Sequence, residues 1–140
     1  MVEQRLRLFQ LILAGFIFIG TPLELWLTEH FESPPQVIPF ILCGLGLLAV
    51  MVVLWRPQRA TLLALRGVMG LVFLGSLFGV FEHVEHNMAF ELEIRPNAIP
   101  SDLIFEALRG VNPLLAPGIL ALAAIIAVVA TYYHPALGKK

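Results

Sequence analysis

Charge is scarce in this chain and cysteine is almost missing from it. Asp, Glu, Lys and Arg make up 14% of the 140 residues, against about 25% in soluble domains. The one cysteine, Cys43, excludes an internal disulfide and any cysteine-rich zinc or iron–sulfur centre. Inside an apolar run, its expected role is that of a small hydrophobe. There is no His-Glu-x-x-His zinc motif, and the inverted His-x-x-Glu-His form would need histidine where Glu82 stands. The Glu-x-x-His pairs of di-iron bundles are missing, as are a glycine-rich phosphate loop and a serine in a nucleophile context. These absences leave no enzyme class with a motif in its favour, and no nucleic-acid partner is expected.

What the chain does have is apolar length. Hydrophobic residues make up 59% of it, against roughly 45–50% in ordinary domains, and a lipid bilayer is the solvent that resolves that excess. Segments at about 8–27, 37–55, 61–81 and 113–133 are long enough to cross a hydrocarbon core of about 30 Å, which takes ~20 residues of helix. Backbone N–H and C=O groups find no water in lipid, so these segments are predicted to be helices. Arg5 and Arg7 before the first segment suggest a signal peptide, but its apolar stretch is too long and no small-x-small cleavage site follows. It is read as a retained helix. The predicted fold is therefore all-α, one domain over residues 1–140 forming an up-down-up-down bundle of four transmembrane helices. Ser33-Pro34-Pro35 and Trp55-Arg56-Pro57-Gln58-Arg59 are the breaks between the first three helices, since proline cannot continue one. Gly75-x-x-x-Gly79 with Ser76, and Ala123-x-x-x-Ala127, are spacings that let helices approach closely.

The basic residues then orient the bundle. Arg5, Arg7, Arg56, Arg59, Arg66, Lys139 and Lys140 fall on one side of a four-span arrangement, and Arg95 and Arg109 on the other. Lys and Arg favour the cytoplasmic side, so both termini are expected there, in a multi-pass protein of a bacterial inner membrane. All the acidic residues except Glu3 lie on or near the opposite side.

The polar residues concentrate at 79–93, GVFEHVEHNMAFELE. At 100° per residue, Phe81, Val84, Met88 and Leu92 share one face, so the third helix is predicted to run about three turns beyond the bilayer core. Glu82, His86 and Glu93 share a direction, and His83, Asn87 and Glu91 form a stripe beside it. The loop at 94–112 offers a cap at Pro100-Ser101-Asp102 for a short amphipathic helix ending near Gly110. Asn112 and Pro113 then sit at cap and first-turn positions of the final span. His30, with Glu24 about one turn deeper, is expected at the same end of the bundle.

Imidazoles mixed with carboxylates suit a divalent zinc, manganese, iron or nickel ion better than calcium or copper(I). The candidate ligands are His83, His86 and His30, with Glu82, Glu91 and Glu24 as charge partners. A charge-rich helix extension is also what an ordinary solvated face looks like. His83-x-x-x-Asn87, the following Phe90-Glu91-x-Glu93, and Pro113 with Pro117-Gly118 make the chain resemble small bacterial four-span inner-membrane proteins of unassigned function. That resemblance implies a bundle in a bacterial inner membrane and no activity. Two functions stay open: binding, sensing or helping to transport a divalent cation, or a non-catalytic accessory subunit of a larger membrane complex or homo-oligomer. The orientation is the most directly testable expectation. In a Cys43→Ser background, single cysteines at Pro34 and Asn97 should react with an impermeant thiol reagent from outside, and those at Gln58 and Gly138 only from inside.

Overall fold

A computed structural model describes residues 2–138. Five α-helices account for most of them: α1 (Val2–Leu27), α2 (Pro34–Trp55), α3 (Arg59–Ile94), α4 (Ile104–Leu108) and α5 (Leu115–Val129). Single 3₁₀ turns occur at Pro100–Leu103 and Pro135–Leu137, and no strand occurs among the described residues. α1, α2 and α3 are each long and apolar enough to cross a membrane.

The helix ends follow from local chemistry. Pro34 and Pro35 open α2 at positions where a backbone N–H would have no helical partner. The Gln36 side chain reaches back to accept from the Ser33 and Glu32 amides at 3.0 and 2.7 Å. At α3, Thr61 Oγ1 accepts from the Gln58 amide at 3.0 Å and its hydroxyl meets the Arg56 carbonyl at 2.6 Å. α3 then continues without a break to Ile94, 36 residues in all, so the predicted extension beyond residue 81 is part of one rod.

α5 differs from the predicted 113–133 helix, with 15 residues in regular α-helix. Pro113 and Pro117 each lack an N–H, so the ladder starts late. At the other end the Thr131 and Tyr132 amides bond three residues back, to Val128 and Val129, which tightens the last turn. Tyr133, at φ 51°, then turns the chain away.

The four long helices form a ring in which α1 packs on α2 and α5, and α3 packs on α2 and α5. Their shared core includes Phe18, Val50, Leu65, Met69, Ala123 and Ala127, all essentially without solvent contact. Ala123 and Ala127 lie on the core side of α5, and a Cβ at Gly79 would stand 2.9 Å from Pro117 Cβ. Gly75 instead faces α2, where the Leu42 side chain occupies the space of its missing Cβ. The two glycines therefore admit different neighbours. The outward faces stay apolar: Phe16 is 72% exposed, Leu71 58% and Leu115 87%.

The seam between α3 and α5 is hydrogen-bonded as well as packed. The Ser76 hydroxyl, 2% exposed, donates to the Pro117 carbonyl at 2.6 Å and accepts from the Ala121 amide at 3.1 Å. It thus bridges the two backbone groups that would ordinarily bond each other four residues apart. Near the other end of α5, Arg66 Nε donates to Thr131 Oγ1 at 2.8 Å. Arg7, on α1, holds the terminal carbonyls of the same region, donating to Tyr133 O at 2.8 Å and more weakly to Tyr132 O at 3.4 Å. A cation at the carbonyl end of a helix is favoured by the orientation of its peptide dipoles.

Candidate functional site at the acidic end of the bundle

The inward side chains of α3 are Leu62, Leu65, Met69, Val72 and Ser76, alternating by three and four residues. At 100° per residue the same direction passes through His83 and Asn87, so the core face of the helix changes from apolar to polar without changing direction. Asn87 is 1% exposed. Its Nδ2 donates to the carbonyls of Ala107 and Asn112, both at 2.9 Å. Its Oδ1 accepts from the Asn112 amide at 2.9 Å and from Asn112 Nδ2 at 3.0 Å. Carbonyls only accept and backbone N–H groups only donate, so this network fixes the orientation of the amide and uses its full capacity.

The consequence is a loop clamped to a helix. Asn87 ties α4 and the lead-in to α5 onto α3, with Leu103 and Ala107 buried beneath. Gly110 makes room for it: a Cβ there would stand 2.6 Å from Asn87 Oδ1 and 2.7 Å from its Cβ. Asn112 belongs to this clamp and does not cap α5, whose preceding residue is Leu114. On the far side of α4, Arg95 pairs with Glu91 at 2.6 Å and Glu106 at 3.7 Å. The expected apolar stripe is also rotated: Phe81 is 61% exposed while Val84, Met88 and Leu92 are half-buried. The direction of greatest burial runs through Asn87.

The histidines divide into two settings. His83 Nδ1 lies 3.0 Å from the Pro113 carbonyl, which can only accept, so this nitrogen carries a proton and Nε2 is the ring nitrogen left over. The His30 ring stands edge-on to it, centroid to centroid 6.3 Å at 63°. His30 is brought there by the end of α1: Glu29 takes φ 55°, the left-handed region usually left to glycine. The His30 amide then bonds the Leu25 carbonyl at 2.8 Å and the Glu29 amide bonds Trp26 at 3.2 Å, the pattern of a reversed helix C-terminus. Burial, and then the nearby His83, hold His30 below the ordinary imidazole range.

His86 sits apart from that pair. Its Nδ1 donates to the Glu82 carbonyl at 2.7 Å, again leaving Nε2 as the free nitrogen. Glu82, Glu85 and His86 bring ligand atoms within 4.8 Å of one another, the one such group of three or more among the described residues. Of the six predicted ligands, this group holds Glu82 and His86. His83 and His30 face each other, Glu91 is paired with Arg95, and Glu24 is exposed on α1. Glu85 is the member that sequence reasoning passed over. Its signal was the Glu82-x-x-Glu85-His86 spacing, which stacks three ligands on one helix turn. No protein-family model, curated protein or solved structure matches the chain.

Asn87→Asp keeps the shape of the clamp but cannot donate to the two carbonyls. It is expected to cost about 1–3 kcal/mol in denaturant unfolding of the detergent-solubilised protein and to open the 95–112 loop to proteolysis. Gly110→Ala should open the same loop, and Glu93→Gln, at an exposed position, should do neither.

Proposed function

We propose that this chain is an integral membrane protein crossing the bilayer four times, with both termini in the cytoplasm, and that it binds a divalent transition-metal cation at its outer end. Support for the fourth crossing comes from the hydrogen bonds that align α5 with α3. Thr131 is level with Arg66 and Asn112 with Asn87, and that stretch of α3 measures about 31 Å at 1.5 Å per residue. The lead-in and closing turns thus extend a 15-residue helix to about the hydrocarbon thickness of 30 Å. The orientation is supported by the seven basic residues gathered at one end of the sequence pattern.

The single observation that carries the cation reading is the Glu82–Glu85–His86 group with His86 already tautomerically set. A ligating imidazole commonly gives its second N–H to a carbonyl, which orients the ring and fixes the metal-facing nitrogen. His86 makes that bond with Glu82 O, and Glu82 and Glu85 each bring a carboxylate oxygen within 4.8 Å of a ring nitrogen. Bonds of about 2.0–2.2 Å to one ion would require the three ligand atoms to draw together by about 1 Å, within reach of side-chain rotation at an exposed helix surface. Water completes the coordination. One nitrogen and two carboxylates match zinc, manganese, iron or nickel, and sensing or transport of such an ion is the role proposed.

Calorimetry with zinc or manganese on the detergent-solubilised full chain is the test. Micromolar binding is expected, weakening roughly tenfold or more in Glu85→Gln and His86→Ala, since loss of one ligand from a three-ligand site is a large fraction of its affinity. Acidification should weaken it as well, because imidazole ligates only when neutral. A His30→Ala, His83→Ala double variant should bind as the wild type does. The absence of any binding would remove the site and favour an accessory subunit.

A further inference from the structure

At the basic end of the bundle, an open groove of about 450 Å³ runs between α3 and α5. Its walls are Met69, Phe73, Ile125, Val128 and Val129, with Arg66 and Tyr132 at its head. Gly70 leaves the groove open, since a Cβ there would meet nothing within 4 Å. A second recess, about 420 Å³, lies on the other side of Arg66 against Tyr133, His134, Pro135 and Leu137.

Arg66 itself is unusual for its place. It lies seven residues into α3, about 10 Å along the axis from Arg59, where a cation at membrane depth needs partners. Its Nε and one Nη are engaged by Thr131, at 2.8 and 3.4 Å, and its guanidinium lies 5.6 Å from the Tyr132 ring centroid. Thr131 is itself 1% exposed, so one edge of the guanidinium is held by a buried hydroxyl. The other Nη makes no hydrogen bond, and no carboxylate pairs with Arg66, among the described residues. Arg7 adds a second guanidinium at this end, bonded to the Tyr132 and Tyr133 carbonyls.

We infer that this groove binds an anionic phospholipid, with its phosphate on the free edge of Arg66 and the upper part of one acyl chain between α3 and α5. The chemistry fits at both ends. A planar guanidinium with three unused N–H groups on its two Nη atoms can meet a phosphate oxygen pair, and an apolar slot facing the lipid phase matches the chain below it. Basic pockets between transmembrane helices on the cytoplasmic side recognise headgroups in this way. That the lipid comes from the cytoplasmic leaflet rests on the four-span reading; the binding itself does not.

The experiment is native mass spectrometry of the full detergent-purified chain titrated with phosphatidylglycerol, phosphatidylcholine or inorganic phosphate. The wild type should hold phosphatidylglycerol roughly fivefold more tightly than phosphatidylcholine, the preference that one basic residue near the membrane surface confers. Arg66→Gln, which keeps a donor for Thr131, should abolish that preference. Gly70→Leu, which fills the slot and leaves Arg66 in place, should weaken retention of both lipids. Arg95→Gln, at the opposite end, should change nothing, and circular dichroism establishes that each variant is folded. Equal retention of the two lipids by the wild type, or inorganic phosphate bound as tightly as phosphatidylglycerol, overturns the inference. So does an unchanged preference in Arg66→Gln. If Arg66→Gln fails to fold, undiminished retention by Gly70→Leu overturns it. Cysteine labelling of the ends is a separate measurement, so a wrong topology and an empty groove are distinguishable.

Discussion

A helix interrupted by prolines cannot satisfy its own backbone, and packed against other helices it has no water to do so in its place. α5 is such a helix, and α3 supplies what it lacks. Ser76 bridges Pro117 and Ala121, His83 takes the carbonyl of Pro113, Asn87 takes both backbone groups of Asn112, and Arg66 holds Thr131. Four polar side chains along one face of α3 therefore set the register of α5 over its whole length. No buried side-chain nitrogen or oxygen is left without a partner among the described residues. Each of these bonds is worth only about 1 kcal/mol. Their spacing specifies the arrangement more than any one of them stabilises it.

The same seam divides the molecule into two chemically different ends. At the basic end, Arg66 and Arg7 close α5 and leave an apolar groove headed by a partly engaged guanidinium. At the acidic end, Asn87 fixes a loop and a short helix over α3, and the ring of His30 is brought against that of His83. His86, Glu82 and Glu85 stand outside this clamp on the exposed side of the same turn. A proposed ion site there is thus carried on a helix whose position is set by buried bonds one residue away. That is how an exposed cluster acquires a fixed geometry.

The helices were largely legible in the sequence and the clamp was not. Apolar length, Pro34-Pro35 and Pro57 marked the long helices, and Pro100-Ser101-Asp102 marked the short one, because these are local signals with local causes. α5 was read too long because Pro113 was taken as a helix starter, although it and Pro117 each remove a donor from the ladder. Asn87 was assigned to a wet stripe on the strength of its polarity. Carrying the direction of Leu62 and Met69 along the helix at 100° per residue would have placed it in the core, but nothing local reveals that Ala107 and Asn112 offer it four bonds. Glu91 looked like a ligand for the same reason, and its partner Arg95 lies just one turn further on. Sequence periodicity gives the direction of a side chain; only the tertiary partner says whether that direction is solvent, lipid or another helix.

Both ends of the bundle depend on the register of α5 against α3, and a disulfide reports that register. A Cβ placed at Gly79 would lie 2.9 Å from that of Pro117, and a disulfide needs the two at about 3.5–4.5 Å. In a Cys43→Ser background, Gly79→Cys with Pro117→Cys is expected to oxidise to an intramolecular bond in the membrane, identified by mass spectrometry. Gly67→Cys with Pro117→Cys, displaced along α3 by about 18 Å, should stay reduced. Cross-linking of the second pair in place of the first would mean that α5 packs on α3 in a different register.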